Sequence, residues 1–148
     1  MPNTKIFISY CHDNTDKATR LHADLVSQGE QVWWDKDVLP GQNWKHEIKN
    51  AMRSSCAIIL CFSKQTEARS QSGLYPEARD ALEMYRAFSP GVSFIFPIRF
   101  CDCTIPQFEI DGTTSLEHIQ RIDLFPTSKW DERIQLLIKA LRRAPNHP

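Results

Sequence analysis

The side chains of this chain that could do chemistry fall in three places. The first is Ser9-Tyr10-Cys11-His12-Asp13-Asn14, a polar turn that follows the apolar run Ile6-Phe7-Ile8. A continuous apolar run suits a strand covered on both faces, as in a parallel sheet. Ligands of such sheets gather beyond the carboxyl ends of the strands, where the strand order reverses, so Ser9 to Asp13 faces the edge where a site is expected. The second is Glu77. Its helix carries Leu74, Ala78, Ala81, Leu82, Tyr85 and Phe88 on one face. At roughly 100° per residue that stripe centres near Ala78 and Tyr85. Arg79, Glu83 and Arg86 point away from it, whereas Glu77 falls on its border. Glu77 also follows Pro76, a first-turn residue, where the helix dipole favours negative charge. Two readings stay open: a partly buried functional carboxylate at the active edge of the sheet, or a plain first-turn glutamate that stabilises the helix. The third place is Cys101-Asp102-Cys103. Two thiols at that spacing could hold a metal, but no partner pair accompanies them, so no metal is expected.

Other chemistries lack their residues. No glycine-rich turn follows the first apolar run, which argues against a dinucleotide-binding Rossmann unit, and no Gly-Lys-Ser/Thr loop exists for a P-loop. A phospho-acceptor receiver would want an aspartate at the end of the third strand, which here reads Cys61-Phe62-Ser63. The five histidines are scattered, and only His12 falls at the carboxyl edge of the sheet. Its simpler reading is a solvated loop histidine.

The elements that must position these groups alternate. Lys5 to Tyr10 is a strand, and Asp13 or Asn14 caps a helix with Ala18, Leu21 and Leu25 inward that Gly29 ends. Gln31 to Trp34 is a short, half-polar strand for a sheet edge. Asp35 to Asn43 is a long loop around Pro40-Gly41, with Val38 and Leu39 exposed. Asn43 caps a helix with Trp44, Ile48, Ala51 and Met52 on one stripe. Cys56 to Phe62 is the most hydrophobic strand and is placed centrally. Ser63 to Gln71 reads as a polar loop, and Ser89-Pro90-Gly91 stops the Glu77 helix. Val92 to Phe100 is a strand interrupted by Pro97, hence near an edge or ending early. Cys101 to Thr114 is irregular, and His118 to Leu124 is a fifth strand. Ser128 to Asp131 reads as a capping box before a helix with Trp130, Ile134, Leu137, Ile138 and Leu141 inward. Five alternations predict an α/β three-layer sandwich: a five-stranded parallel sheet of order 2-1-3-4-5 with helices on both faces. Residues 1–143 form one domain, and 144–148 read as a tail or a cut linker.

Length and charge agree with a single domain. A chain of 148 residues buries roughly 68–70% of its unfolded surface and needs no staples. Its 18 basic and 18 acidic residues balance, so no net field recruits nucleic acid or an anionic membrane. No apolar run approaches the roughly 18 residues of a membrane span, and Met1 to Lys5 leads straight into a strand rather than a signal peptide. The odd count of five cysteines therefore reads as free thiols in a reducing cytoplasm.

Taken together, Phe7-Ile8-Ser9-Tyr10, Val32-Trp33-Trp34-Asp35 running into Leu39-Pro40-Gly41-Gln42-Asn43-Trp44, Ile58 to Ser63, and Arg121 to Phe125 resemble the boxes of the Toll/interleukin-1 receptor (TIR) domain family, closest to its bacterial branch. The resemblance covers about residues 5–142. It implies the flavodoxin-like TIR fold and identifies Leu39 to Trp44 as the family's BB loop. Catalytic members cleave NAD+ between nicotinamide and ribose, with a glutamate near the start of the third helix, and Glu77 matches that place. The resemblance further implies that Tyr10 and Cys11, with Asp35 and Trp44, line the pocket; Trp34 and Trp44 have packing as an equal alternative. It implies NAD+ as substrate with no further cofactor, self-assembly through the BB loop, and a sensor domain or partner protein as the activating element. Many catalytic members carry an aromatic residue four positions before the glutamate. Here that position is Gly73, with Tyr75 close by as a substitute. The alternative function is a non-catalytic adaptor that only binds other TIR domains.

Overall fold

The computed structural model describes residues 5–69, 75–88, 94–110 and 115–144, without the side chains of 84–88 and 94. Gly73, Leu74, the Ser89-Pro90-Gly91 stop and the tail beyond Ala144 lie outside the described residues. The strands β1 (Lys5–Ser9), β2 (Val32–Trp33), β3 (Ser55–Phe62), β4 (Phe94–Arg99) and β5 (Ile122–Asp123) pair in the order β2-β1-β3-β4-β5. Every pairing is parallel. This is the expected α/β sandwich with the expected strand order. All eight residues of β3 are buried, which is what its unbroken apolar run requires. Each fully buried aliphatic side chain there contributes roughly 1.5–3 kcal/mol.

Helices cover both faces. Helix α1 (Thr15–Ser27) and helix α5 (Trp130–Arg142) pack their buried Ala18, Leu21, Leu25, Trp130, Ile134 and Leu137 against Ile6, Ile8, Ile59 and Cys61 on one face. Helix α2 (Trp44–Arg53) and helix α4 (Pro76–Phe88) set Ile48, Met52, Ala78 and Leu82 against Phe7, Ile58 and Leu60 on the other. Strand residues thus alternate between two apolar layers although the run itself does not alternate. Gly29 ends α1 at φ +87°, with Glu30 N–H donating to Leu25 O at 3.1 Å and Gly29 N–H to Val26 O at 3.0 Å. That pair of bonds is a Schellman closure, which needs the left-handed conformation. No described helix is long and apolar enough to cross a membrane.

Several local expectations are corrected. Lys64–Arg69 is a helix, α3, rather than a loop. Ser63 starts it: Ser63 N–H donates to Thr66 Oγ1 (2.8 Å) and Thr66 N–H to Ser63 Oγ (3.2 Å), a reciprocal cap. Asn14 stands at the N-cap of α1 but makes no capping bond. Its amide carbonyl instead accepts from Ser63 Oγ at 2.7 Å. The Ser128 capping box does not form; a 3-10 turn, Thr127–Lys129, leads into α5, whose N-cap Lys129 makes no side-chain bond. The fifth strand shrinks to Ile122–Asp123 because Leu116–His118 is a 3-10 turn. Pro97 is tolerated inside β4 because β5 pairs only beyond it, at Ile98 and Arg99.

Candidate functional site

The carboxyl ends of β1 and β2, the loop after β2 and the first turns of α2 and α4 enclose a cavity of about 390 Å³. Its floor is Phe7 and Trp33, whose rings stack at 5.1 Å, with Ile8 and Ser9 beside them. Pro76, Glu77, Asp80 and Ala81 of α4 form one wall, and Trp44 and Ile48 of α2 form the other. Tyr10, His12 and Asp35 complete the lining.

Glu77 is placed by its neighbour Tyr75. Tyr75 is fully buried, its hydroxyl donating to Cys61 O at 2.6 Å with Ser9 O at 3.3 Å. Its ring meets Phe62 edge-on at 5.7 Å. This fastens the start of α4 to the ends of the two central strands. The next residues, Pro76 and Glu77, are then held over the cavity, and Arg79 N–H closes the first helical bond onto Tyr75 O. Glu77 Oε1 accepts from Arg69 Nη1 at 3.1 Å. Glu77 Oε2 is buried and has no hydrogen-bond partner among the described residues. A buried, unpaired carboxylate oxygen costs free energy, so a site that keeps one beside a cavity is poised for a donor or a positive charge.

Across the cavity, Tyr10 Oη donates to Asp35 Oδ1 at 2.6 Å, and His12 Nε2 lies 3.1 Å from Asp35 Oδ2. Burial, then the bond to Asp35, raises the Tyr10 pKa above its ordinary value, so the phenol stays a neutral donor. The loop after Asp35 holds a tight turn. Gln42 N–H donates to Leu39 O at 3.1 Å around Pro40 and Gly41, and Gly41 has φ +88°. This is a type II turn. Asn43 caps α2 as expected, its Oδ1 accepting from His46 N–H at 3.1 Å.

Of the sequence-predicted residues, Glu77, Tyr10, Asp35 and Trp44 are brought together around the cavity. Cys11 is not. It is buried in the apolar layer under α2 and α4 and touches Arg69, whose pKa its side chain, and then Glu77, raises. Trp34 packs away from the cavity, stacked on His22 at 4.2 Å. Tyr75 is the anchor just described rather than a cavity-lining aromatic. Trp44 leaves the core stripe of α2 and is 46% exposed. Leu39 is 62% exposed, but Val38 is partly buried against the α2–α4 layer. Sequence reasoning missed Asp80, which shares the cavity face of α4 with Glu77 by the i, i+3 relation, and it missed Arg69, hidden in the supposed loop. Among the described residues, no group of three His, Cys, Asp or Glu could hold a metal ion. A second cavity of about 520 Å³ lies near Phe100 and Trp130. Its cations are engaged: Lys17 Nζ donates to Phe100 O at 3.2 Å, and the Arg20 guanidinium lies 4.4 Å from the Trp130 ring centre.

A family model described as TIR domain matches residues 6–138. No curated protein matches the sequence. Among solved structures, the TIR domain of the Toll-related receptor TRR-2 from Hydra magnipapillata is 16% identical, with a TM-score of 0.66 over 97% of this chain and 100% of that one. A metazoan TIR-STING receptor from C. gigas, in complex with 2',3'-cGAMP, is 20% identical with a TM-score of 0.61, over 88% of this chain and 38% of that one. The TIR domains of the activated Roq1 resistosome, which recognises the pathogen effector XopQ, are 21% identical with a TM-score of 0.52, over 66% and 57%. At these identities the likeness speaks for the fold.

Proposed function

This chain belongs to the TIR domain family, and from that premise we propose that its Glu77 cavity cleaves NAD+ between nicotinamide and ribose, releasing nicotinamide and either ADP-ribose or a cyclic form. The observation that carries the reading is the Glu77 carboxylate, with one oxygen held by Arg69 and the other buried and unpaired among the described residues, beside an aromatic-floored cavity. Nicotinamide on ribose is already cationic, so it leaves as a neutral ring and needs no general acid. Positive charge then develops on the ribose. A preorganised carboxylate in a partly desolvated cavity stabilises that charge more strongly than water does, or accepts bonds from the ribose hydroxyls. Tyr10, Asp35 and Trp44 shape the opposite side. NAD+ is here the substrate, and the reaction uses no further cofactor.

Assembly completes the proposal. The type II turn presents Leu39 to solvent, and the Roq1 structure shows that TIR domains of this fold occur in an activated assembly. Other copies of the domain, docking through this loop, raise activity above that of the monomer, and a sensor segment or separate partner supplies the signal. The biological setting that fits is bacterial immunity, in the cytoplasm. The second reading, a non-catalytic adaptor, is favoured by the Arg69 pair, which neutralises part of the Glu77 charge. Nicotinamide release from NAD+ by concentrated protein, with Glu77→Gln beside it, separates the two. Release by the parent and at least a hundredfold loss in the folded variant supports the enzyme. Silence from an assembled sample of the parent supports the adaptor. Equal release from both rules out Glu77, and equal release per molecule from dilute, strictly monomeric protein rules out the role of assembly.

A further inference from the structure

The cavity carries more negative charge than one catalytic glutamate requires. Asp80 lies one turn along α4 from Glu77 and lines the same wall, and Asp35 faces them from the mouth. No lysine or arginine is among the described residues that line the cavity, although Arg69 Nη1 pairs with Glu77 Oε1 at 3.1 Å from outside that lining and His12 Nε2 lies 3.1 Å from Asp35 Oδ2. Burial, then the Glu83 and Glu77 carboxylates, raise the Asp80 pKa above the ordinary carboxylate value, and Arg79 and Lys45 do not offset them. Trp33 and Trp44 add aromatic lining, and aromatic rings attract cations. At about 390 Å³ the space lies at the low end of the roughly 300–1,000 Å³ typical of ligand pockets, suited to a nucleoside rather than a dinucleotide.

We infer that Asp80 is a specificity-determining carboxylate, and that this cavity selects a positively charged N-ribosylpyridinium unit and makes no use of the diphosphate. The identity of the ligand rests on the NAD+ reading; the role of Asp80 rests on the geometry. A pyridinium ring relieves the repulsion between Glu77 and Asp80, whereas a diphosphate would add to it and therefore stays beyond the mouth. Asp80 takes no part in bond making. The electron pair of the ribose–nitrogen bond leaves with the ring, water oxygen bonds to the anomeric carbon, and its proton goes to solvent.

The test uses Glu77→Gln protein, so that turnover does not consume the probe, and tryptophan fluorescence as the readout. Nicotinamide riboside, a cation, is titrated beside 1,4-dihydronicotinamide riboside, its neutral counterpart of similar shape, and beside NAD+. The cation binds at least tenfold tighter than the neutral form and at least as tightly as NAD+. Adding Asp80→Asn reduces the cation preference to threefold or less at unchanged melting temperature, and Asp80→Glu restores it. Equal binding of the two ribosides, an unchanged preference in Asp80→Asn, or binding of NAD+ without the riboside overturns the inference. Nicotinamide release by the parent is scored separately. Cation preference without release sinks the hydrolytic reading alone, and release without preference sinks this inference alone.

Discussion

Replacing Tyr75 by phenylalanine removes one oxygen and tests how α4 is fastened to the sheet. The β1–β3 register ends at Ser9 opposite Leu60, so carbonyls at the strand ends need donors from elsewhere. The buried Tyr75 hydroxyl supplies one, at 2.6 Å to Cys61 O and 3.3 Å to Ser9 O. Phenylalanine keeps the ring and its edge contact with Phe62 and leaves those carbonyls without the phenol. An unsatisfied buried acceptor costs about 1–3 kcal/mol, a lowering of melting temperature of about 2–12 °C for a domain near this size. Equilibrium urea unfolding followed by tryptophan fluorescence should show a lower midpoint at constant slope. Tyr75→Leu should lose about 0.5–1.5 kcal/mol more, because it also breaks the aromatic pair. Under the hydrolytic reading, Tyr75→Phe also lowers kcat more than it changes KM, since the loosened turn carries Glu77. A stability change below about 0.5 kcal/mol, smaller than a typical net hydrogen bond, would refute the claim that this hydroxyl fastens the helix.

Asp123 receives two bonds from the buried Arg99, Nε to Oδ1 and Nη2 to Oδ2, each 2.7 Å. Asp123→Asn removes the bidentate carboxylate and leaves that cation Asp102 Oδ1 at 3.1 Å and Cys103 O at 2.7 Å, so it should cost about 1.5–3 kcal/mol at pH 7, read from urea midpoints. The Arg99 bond holds the Asp123 carboxyl below its ordinary 3.8. Its stabilisation is therefore full above that value and is lost as pH falls from about 4 downward through the depressed folded value; the variant should flatten that acid limb. Gly41→Ala meets nothing within 4 Å of the added carbon, so its cost is the left-handed backbone alone, about 1–2 kcal/mol. Faster hydrogen exchange at the Gln42 amide, which bonds Leu39 O, should report the loosened turn.

Much of the frame was legible because it rests on local pattern. The unbroken runs Ile6 to Ile8 and Ala57 to Phe62 can only be strands covered on both faces, and alternation of strand and helix with right-handed crossovers leaves few strand orders. Gly29 and Asn43 sit where a helix must close or begin, and both serve there. Pro76 and the apolar stripe put Glu77 on the border of its helix, where it is found partly buried. Other features depended on residues far apart in the chain. Helix α3 is six residues long with only Thr66 buried, so no periodicity marks it. The cap that starts it is tied to Asn14, 49 residues away, which also explains why Asn14 does not cap its own helix. Cys11 stands next to Tyr10 in sequence, yet both lie past the end of β1, and the turn there buries Cys11 in the layer under α2 and α4 while Tyr10 lines the cavity. The Arg69–Glu77 pair and the placing of Asp80 and Asp35 around one cavity arise only when α3, α4 and the loop after β2 converge on one edge. Sequence determines which face of each element is buried, because burial follows local period; tertiary packing decides which polar atoms meet, because those distances join separate segments.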